Sequence, residues 1–338
     1  MKYKLFQLVL EITSQCNFRC LHCGSDCENL VSSDELSIAE WEDCLTQAVD
    51  MGAQKATSSG GEPFLKEGFE QIIIHMHKIG LEYGIVTNGS AIGATVLNTM
   101  VNHKPLIVGF SLDGLGSTHN YIRQNSQSYR SVLKSVSMVK AGGIPTAAIT
   151  TISKLNIGEL GHLMDLVAFI GFDCWQIQLS MPFGRMKEHI DWLIDQDEFW
   201  SVCQQIICFR KRFPHIKIEA ADCFGPAPGN VIRDEEQYGC GAGITGVGID
   251  ACGNVLPCLS LRGSDVCGNI REQSLREIWE NSSGFDFNRN FQPDNIGSNC
   301  SNCQIINGCR GGCASNSVAY TGQLHNSPFC FLRSFHSN

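Results

Sequence analysis

The chain has 338 residues and a formal charge of −9, with 25 Lys and Arg against 34 Asp and Glu. An acidic chain without a basic run is not expected to bind nucleic acid or an anionic membrane. No apolar run approaches the ~20 residues of a membrane span, and the N-terminus is too polar after Leu10 for a signal peptide. We therefore expect a cytoplasmic protein.

Short apolar runs alternate with amphipathic stretches up to about residue 215. The predicted strands are 4–12, 55–58, 83–87, 106–112, 146–152 and 174–179, and the predicted helices are 37–51, 67–79, 91–102, 128–141, 157–170 and 196–213. Six strand–helix repeats predict an α/β fold with a parallel sheet, as a full or partial barrel or an open doubly wound sheet. In each of these folds, ligands bind at the carboxyl ends of the strands.

The chain changes character from about Ala220 onward. Helical periodicity nearly vanishes, 274–281 is the one clear helix, and Gly, Asn, Ser and Cys dominate. Such a segment needs cross-links or metal sites to keep a single conformation, so we expect its cysteines rather than a large core to stabilise it. We place two domains at 1–218 and 219–338.

Cysteine is the unusual component of the composition, with 18 residues. A small secreted domain would use that number for disulfides, but this chain is long and has no export signal. Metal ligation in a reducing compartment is therefore the better interpretation.

The first cysteine cluster follows the first predicted strand with the spacing C-x3-C-x2-C. It consists of Cys16, Cys20 and Cys23, with His22 directly before the last cysteine. Three thiolates would hold a [4Fe–4S] cluster and leave one iron open to a ligand, whereas most clusters use four. A zinc knuckle with Cys27 as fourth ligand is the alternative, and the spacing alone favours neither.

Short motifs follow the next strands and decide between these alternatives. The second strand leads into Gly60, Gly61, Glu62 and Pro63; the third ends at Asn88; and the fourth ends at Ser111 and Asp113. With the cysteine loop, this combination closely resembles the radical S-adenosylmethionine (SAM) superfamily over the first ~215 residues. The resemblance implies a [4Fe–4S] cluster whose open iron binds the amino and carboxylate groups of SAM. It also implies that the Gly-Gly-Glu-Pro motif contacts the SAM amino group and that Ser111 and Asp113 lie near the ribose. Asn88 is a further expected cofactor contact.

The second cysteine constellation lies at the C-terminus and resembles the SPASM domain of radical SAM enzymes that modify peptides or proteins. It contains Cys240, Cys258, Cys300, Cys303, Cys309, Cys313 and Cys330. The resemblance implies two auxiliary [4Fe–4S] clusters. The outer one would use Cys300, Cys303, Cys309 and Cys330, and the inner one would use Cys240, Cys258 and Cys313. The fourth inner ligand stays open between Cys223, Cys252, Cys267 and an open iron. Two structural zinc ions are the alternative for the whole array.

The end of the sixth strand also resembles SPASM enzymes. Gln178 and Arg185 are expected to contact SAM or the substrate. Together, the resemblances imply a partial (β/α)6 TIM-like barrel with a small, loop-rich C-terminal iron–sulfur domain.

The resemblance implies a maturase that uses a 5′-deoxyadenosyl radical to cross-link a ribosomally made precursor peptide through a thioether, C–C or C–O bond. Its expected partners are an electron donor such as flavodoxin or ferredoxin and, because the chain starts almost at the first strand, a separate leader-binding protein. Barrel loops or a sheet edge are the alternatives for peptide recognition. Three hypotheses compete with this one: a peptide epimerase with Cys223 as hydrogen donor, a cofactor- or haem-pathway maturase, and a non-enzymatic iron–sulfur or zinc scaffold or electron carrier.

Overall fold

The computed structural model of the chain describes residues 2–27, 33–234, 239–261 and 266–337. All 18 cysteines are free thiols. Within the described ranges, no helix is both long enough and apolar enough to cross a membrane.

A single open sheet organises the fold. Its ten strands, counted over the described residues, are β1 Gln7–Glu11, β2 Lys55–Ser59, β3 Glu82–Thr87, β4 Ile107–Ser111, β5 Thr146–Ile152, β6 Cys174–Leu179, β7 Lys217–Ala220, β8 Gly246–Ile249, β9 Asn254–Leu256 and β10 Gly268–Asn269. Their order is β10-β9-β8-β1-β2-β3-β4-β5-β6-β7. Strands β1 to β7 pair in parallel, which confirms the predicted partial TIM-like barrel.

Helices connect the parallel strands and cover the sheet. In the described part of the chain they are α1 Ile38–Asp50, α2 Phe69–Lys78, α3 Ala94–Asn102, α4 Gly116–Arg123, α5 Ser128–Ala141, α6 Leu160–Ile170, α7 Gln196–Arg212, α8 Leu275–Asn281, α9 Asp286–Arg289, α10 Ile306–Cys309, α11 Ala314–Thr321 and α12 Phe331–Ser337. Capping boxes begin three of them, at Ser37, Asp195 and Ser274. In each, the side chain at the cap and the Glu three residues later satisfy backbone N–H groups that the helix leaves free.

Two elements of the barrel half were not predicted. The helix α4 has the sequence GSTHNYIR, whose Gly, Ser, Thr and Asn are poor helix formers. The strand β7 has four residues and pairs with β6 at the edge of the sheet. Neither segment is long enough for hydrophobic periodicity to identify it.

The C-terminal segment needs a correction, because it shares the core of the barrel. Strand β8 pairs in parallel with β1, with Gln7 opposite Gly246. Ile278, Trp279 and Phe285 are fully or almost fully buried within the same apolar core. The expectation that cysteines replace a core here is therefore wrong in part. The division at 218/219 stays a prediction, and the sheet continues across it.

Candidate active site and auxiliary cysteines

A cavity of about 370 Å³ opens at the carboxyl ends of β1 to β6. Parallel strands bring the residues that follow them to one edge of the sheet, so chain-distant motifs meet there. The predicted residues that line it are Cys16, Cys20, Cys23, Gly60, Gly61, Asn88, Ser111, Gln178 and Arg185. Glu62, Pro63 and Asp113 lie behind the wall of the cavity, since they are buried and are not among its lining residues.

The cysteine loop places three thiols at this cavity, and each acts electrostatically on the other two. The backbone N–H of Phe18 donates to the Cys16 sulfur. A hydrogen bond from the Cys27 thiol outweighs burial and lowers the pKa of Cys23. Burial raises the pKa of Cys16 to about 11 and also raises that of Cys20. Because iron binds the thiolate rather than the thiol, binding of a cluster here would release the protons of these two thiols.

The ion pair between Asp113 and Arg123 contacts the cysteine loop. Nε of Arg123 donates to Oδ2 of Asp113 at 2.6 Å, and its Nη1 lies 3.7 Å from the Cys20 sulfur. Burial opposes the charged form of Asp113, but Arg123 holds its pKa below the ordinary value. The Thr151 N–H donates to the second carboxylate oxygen at 2.9 Å. Asp113 therefore orients a cation toward a cysteine sulfur.

The loop after β2 packs directly on the cysteine loop. The N–H of Gly61 donates to the Thr13 carbonyl, and that of Glu62 donates to the Gln15 carbonyl, both at 2.8 Å. A side chain on Gly61 would bring its Cβ within 2.0 Å of the Gln15 oxygen. Glycine is thus required for this approach of two backbones.

Glu62 is hydrogen-bonded to the end of the neighbouring strand β3. Its carboxylate accepts hydrogen bonds from the Thr87 hydroxyl and the Asn88 N–H, both at 2.7 Å. Burial raises the pKa of this carboxyl to about 7, against the effect of those donors. Asn88 in turn donates through Nδ2 to the Asn17 side chain at 3.0 Å. The ends of β2 and β3 are therefore fixed relative to the cysteine loop.

The remaining predicted contacts lie on the far wall. Gln178 donates to the Thr151 hydroxyl at 2.9 Å, which directs its side chain across the ends of β5 and β6. Nε of Arg185 donates to the Cys20 carbonyl at 2.8 Å, and the guanidinium forms an ion pair with Asp26. Arg185 therefore closes the cysteine loop from the side of β6.

The C-terminal cysteines form two groups. In the outer group each thiol lies within electrostatic reach of the other three; its members are Cys300, Cys303, Cys309 and Cys330. In the inner group, Cys313 interacts with Cys240, and its charge also acts on Cys258. The predicted partition of these seven cysteines corresponds to two separate places in the fold.

Sequence reasoning missed several residues of the cavity, among them Arg123, Leu259 and Ser260. Arg123 was not predicted for two reasons: its partner Asp113 was assigned to the ribose, and the helix α4 that carries Arg123 was not predicted. Leu259 and Ser260, which follow Cys258, also line the cavity. Their position directly after a cysteine of the predicted inner group is the signal that would have identified them.

Two family models match segments of the chain. Residues 10–167 match the model of the radical SAM superfamily, and residues 240–304 match the SPASM model, an iron–sulfur cluster-binding domain. The chain belongs to the radical SAM superfamily and carries a SPASM domain. It is accordingly an enzyme that uses SAM and a [4Fe–4S] cluster, and its SPASM domain binds auxiliary iron–sulfur clusters.

Two curated relatives of this radical SAM enzyme carry different names. It is 25% identical over 340 residues to an AdoMet-dependent heme synthase of Methanosarcina barkeri, covering 96% of this chain and 95% of that protein. It is 24% identical to a PqqA peptide cyclase of Streptomyces rochei, covering 96% of this chain and 89% of the relative. The structure of Streptococcus suis SuiB bound to precursor peptide SuiA has the same fold, with a TM-score of 0.76 and 20% identity over 98% of this chain and 75% of that one.

The residues at the cavity fit the groups that a radical SAM enzyme requires. Three thiols converge on it, with N–H and guanidinium donors directed at their sulfurs. No three described His, Cys, Asp or Glu side chains lie close enough together to hold a single metal ion. A cluster of four irons needs more widely spaced thiolates than one zinc ion, whose Zn–S bonds are ~2.3 Å.

Proposed function

We propose that the enzyme is a peptide maturase that removes hydrogen from a residue of a ribosomally made peptide and leaves an intramolecular cross-link of the thioether, C–C or C–O type. When bound, SAM and its cluster would supply a 5′-deoxyadenosyl radical able to remove one hydrogen atom. An oxidised auxiliary cluster would supply the acceptor for the electron that remains when the second hydrogen leaves as a proton. An electron donor of flavodoxin or ferredoxin type would reduce the SAM cluster.

The charge of the cavity is the observation that carries this proposal. Among its described lining residues, the arginines are Arg123 and Arg185, and each already pairs with a carboxylate, Asp113 or Asp26. The lining His22 also faces a carboxylate already, with its Nε2 3.5 Å from Oδ2 of Asp113. A substrate with several carboxylates would bury charges without partners here, which is costly. A neutral peptide segment has no such cost.

The chain itself contributes position and exclusion of water. Gly60 and Gly61 bring the backbone against one side of the cavity, and Gln178 offers an amide on the other. Leu259 and Ser260 of the SPASM domain add an apolar and a hydroxyl contact. Peptide entering between barrel and SPASM domain would meet both sets of contacts, and holding the reacting carbon in place is the main task of the protein in such chemistry.

Epimerisation is the competing peptide reaction, and it needs a thiol that returns a hydrogen atom. Cys223 is 4% exposed and does not line the cavity, which favours cross-linking. Cys27 does line it, with its sulfur 3.6 Å from Glu11 Oε1. The thiol to examine in an epimerisation test is therefore Cys27 as well as Cys223.

Mass spectrometry of the holoenzyme's reaction with a peptide encoded beside its gene, run in heavy water, tests the proposal. We expect a product that has lost two hydrogens and whose fragments show one linked pair of residues. Unchanged composition with one solvent deuterium at a Cα, abolished by Cys27→Ala or Cys223→Ala, would replace cross-linking with epimerisation.

A haem-pathway reaction is the second candidate, favoured by the full-length similarity to the heme synthase of Methanosarcina barkeri. Haem-type tetrapyrroles carry propionate groups, for which the described cavity offers no unpaired arginine. Incubation of the reduced holoenzyme with SAM and an iron porphyrin rich in propionates distinguishes the two. We expect no loss of carbon dioxide from the porphyrin; SAM-dependent decarboxylation would assign the enzyme to the haem pathway.

A further inference from the structure

Cys223 occupies the junction between the barrel and the SPASM cysteines. It lies in a single helical turn, Asp222–Phe224, directly after β7. Its sulfur accepts a hydrogen bond from the Leu179 N–H at 3.3 Å, and Leu179 lines the active-site cavity. Its carbonyl accepts one from Asn316 Nδ2 at 3.2 Å. Cys223 is thus fixed on one side to the cavity wall and on the other to α11.

The same residue faces the inner SPASM cysteines. Cys313 caps the N-terminus of α11 and interacts electrostatically with Cys223, as it does with Cys240. The segments that carry these three cysteines border one small cavity, lined in part by Asp222, Gly225, Cys240 and Cys313. The turn that contains Cys223 therefore lies where the inner group is missing a fourth member.

All four sulfurs share a feature of iron–sulfur ligands, a backbone N–H directed at the sulfur. Ala314 and Ala242 donate to Cys240, and Ser260 donates to Cys258 at 3.4 Å. The Asn316 N–H donates to Cys313, and that of Leu179 donates to Cys223. Such donors stabilise negative charge on a sulfur, which a buried thiol does not carry.

A buried cation, Arg233, lies beside the turn that carries Cys223. Arg233 is 5% exposed, lines the small cavity, and donates to the carbonyls of Ala221 and Gly225, which flank Cys223. Its carboxylate contact is to Asp222 at 3.5 Å, and its Nε is buried without a hydrogen-bond partner. A thiolate-ligated cluster carries net negative charge, so it would balance this guanidinium.

The other candidates for the fourth position have different neighbours. Cys252 has its main electrostatic contacts with Asp250, Glu35, Asp34 and Arg271 rather than with cysteines. A Cβ added at Gly284 would lie 2.5 Å from the Cys267 sulfur, and Cys267 acts on Arg289.

We propose that Cys223 is the fourth protein ligand of the inner auxiliary cluster, together with Cys240, Cys258 and Cys313. This assignment rests on the placement of the cysteines and not on the identity of the substrate. It gives the inner cluster a complete set of thiolates, so that substrate does not bind through an open iron. It also commits Cys223 to iron, which removes it as a hydrogen donor.

Iron content and EPR spectra of reconstituted full-length variants test the proposal without any substrate, and so independently of the reaction type. In a background with Cys16, Cys20 and Cys23 replaced by Ala, roughly eight irons per chain should remain in the two auxiliary clusters. We expect Cys223→Ala to lose up to about four of them or to change the inner-cluster signal. The matched control is Cys203→Ala, because Cys203 is fully buried beside Cys223.

Iron content and spectra of Cys223→Ala identical to those of Cys203→Ala would overturn the assignment. Loss of the inner cluster in Cys252→Ala or Cys267→Ala but not in Cys223→Ala would also overturn it. If Cys223→Ala does not fold, Cys223→Ser decides. An oxygen ligand should alter the inner-cluster signal, whereas a signal equal to that of the Cys203 control would contradict the proposal.

Discussion

Replacing Gly61 with Ala should displace the cysteine loop of the SAM site and leave the rest of the fold intact. The new Cβ would lie 2.0 Å from the Gln15 oxygen and 2.5 Å from its carbonyl carbon, where contacts under 3.0 Å essentially never occur. The obstacle is backbone, so no side chain can rotate away. The cysteine loop must move by at least ~1 Å, and Cys16, the next residue, moves with it.

The expected result follows from that displacement. A misplacement of ~1 Å at a reacting centre costs about 100-fold in rate, while overpacking costs about 1–3 kcal/mol of stability. We therefore expect 5′-deoxyadenosine formation after dithionite reduction to fall about 100-fold, with circular dichroism unchanged and a modest fall in melting temperature.

Gly93→Ala is the matched control. Gly93 precedes α3 at φ −86° with no atom near its added Cβ, so this variant should keep the rate of the original enzyme. A Gly61→Ala enzyme that forms 5′-deoxyadenosine at a rate near that of the control would refute the argument that this backbone approach positions the cluster loop.

Two further predictions concern charges. Asp113→Asn leaves Arg123, whose side chain is 12% exposed, without its carboxylate and should cost about 3–5 kcal/mol of stability in urea unfolding. Because the pKa of Asp113 is lowered in the folded state, this contribution is present above the ordinary pKa of Asp and is lost as the pH falls through the lowered pKa. Unchanged unfolding would contradict this. Arg271→Ala removes the surface ion pair with Glu40 and should cost up to about 1 kcal/mol. Hydrogen bonds from Arg271 and, to a smaller extent, from Ser37 lower the pKa of Glu40 to about 2. The difference in stability from the original chain should therefore be full above pH ~4.5 and fade toward pH ~2; a difference that grows on acidification would contradict it.

The sequence allowed the barrel and the chemistry-bearing loops to be predicted because both depend on local signals. Alternating apolar periods identified the strands before Ser59 and Thr87, and the parallel topology then brought their following loops to one edge. The cysteine spacing predicted the metal site for the same reason, because it is also a local signal. Cys16, Cys20 and Cys23 are only three or four residues apart, so the sequence alone brings their thiols near one another.

Contacts between distant segments could not be predicted in this way. Strand β8 has four residues and pairs with β1 across more than two hundred positions, a partnership that no local pattern encodes. Arg123 required α4 to be predicted and Asp113 to be recognised as its partner. Cys223 stayed undecided because its turn meets α11 and the cavity wall only in the folded chain.

The central claim is that the loop after β1 holds the SAM-cleaving cluster. The most direct measurement is 5′-deoxyadenosine produced from SAM by the anaerobically reconstituted, dithionite-reduced enzyme, compared with a variant in which Cys16, Cys20 and Cys23 are replaced by Ala. The account predicts that the original enzyme forms the product and that the variant forms none while keeping the iron of its SPASM domain. Undiminished 5′-deoxyadenosine from the variant would contradict it.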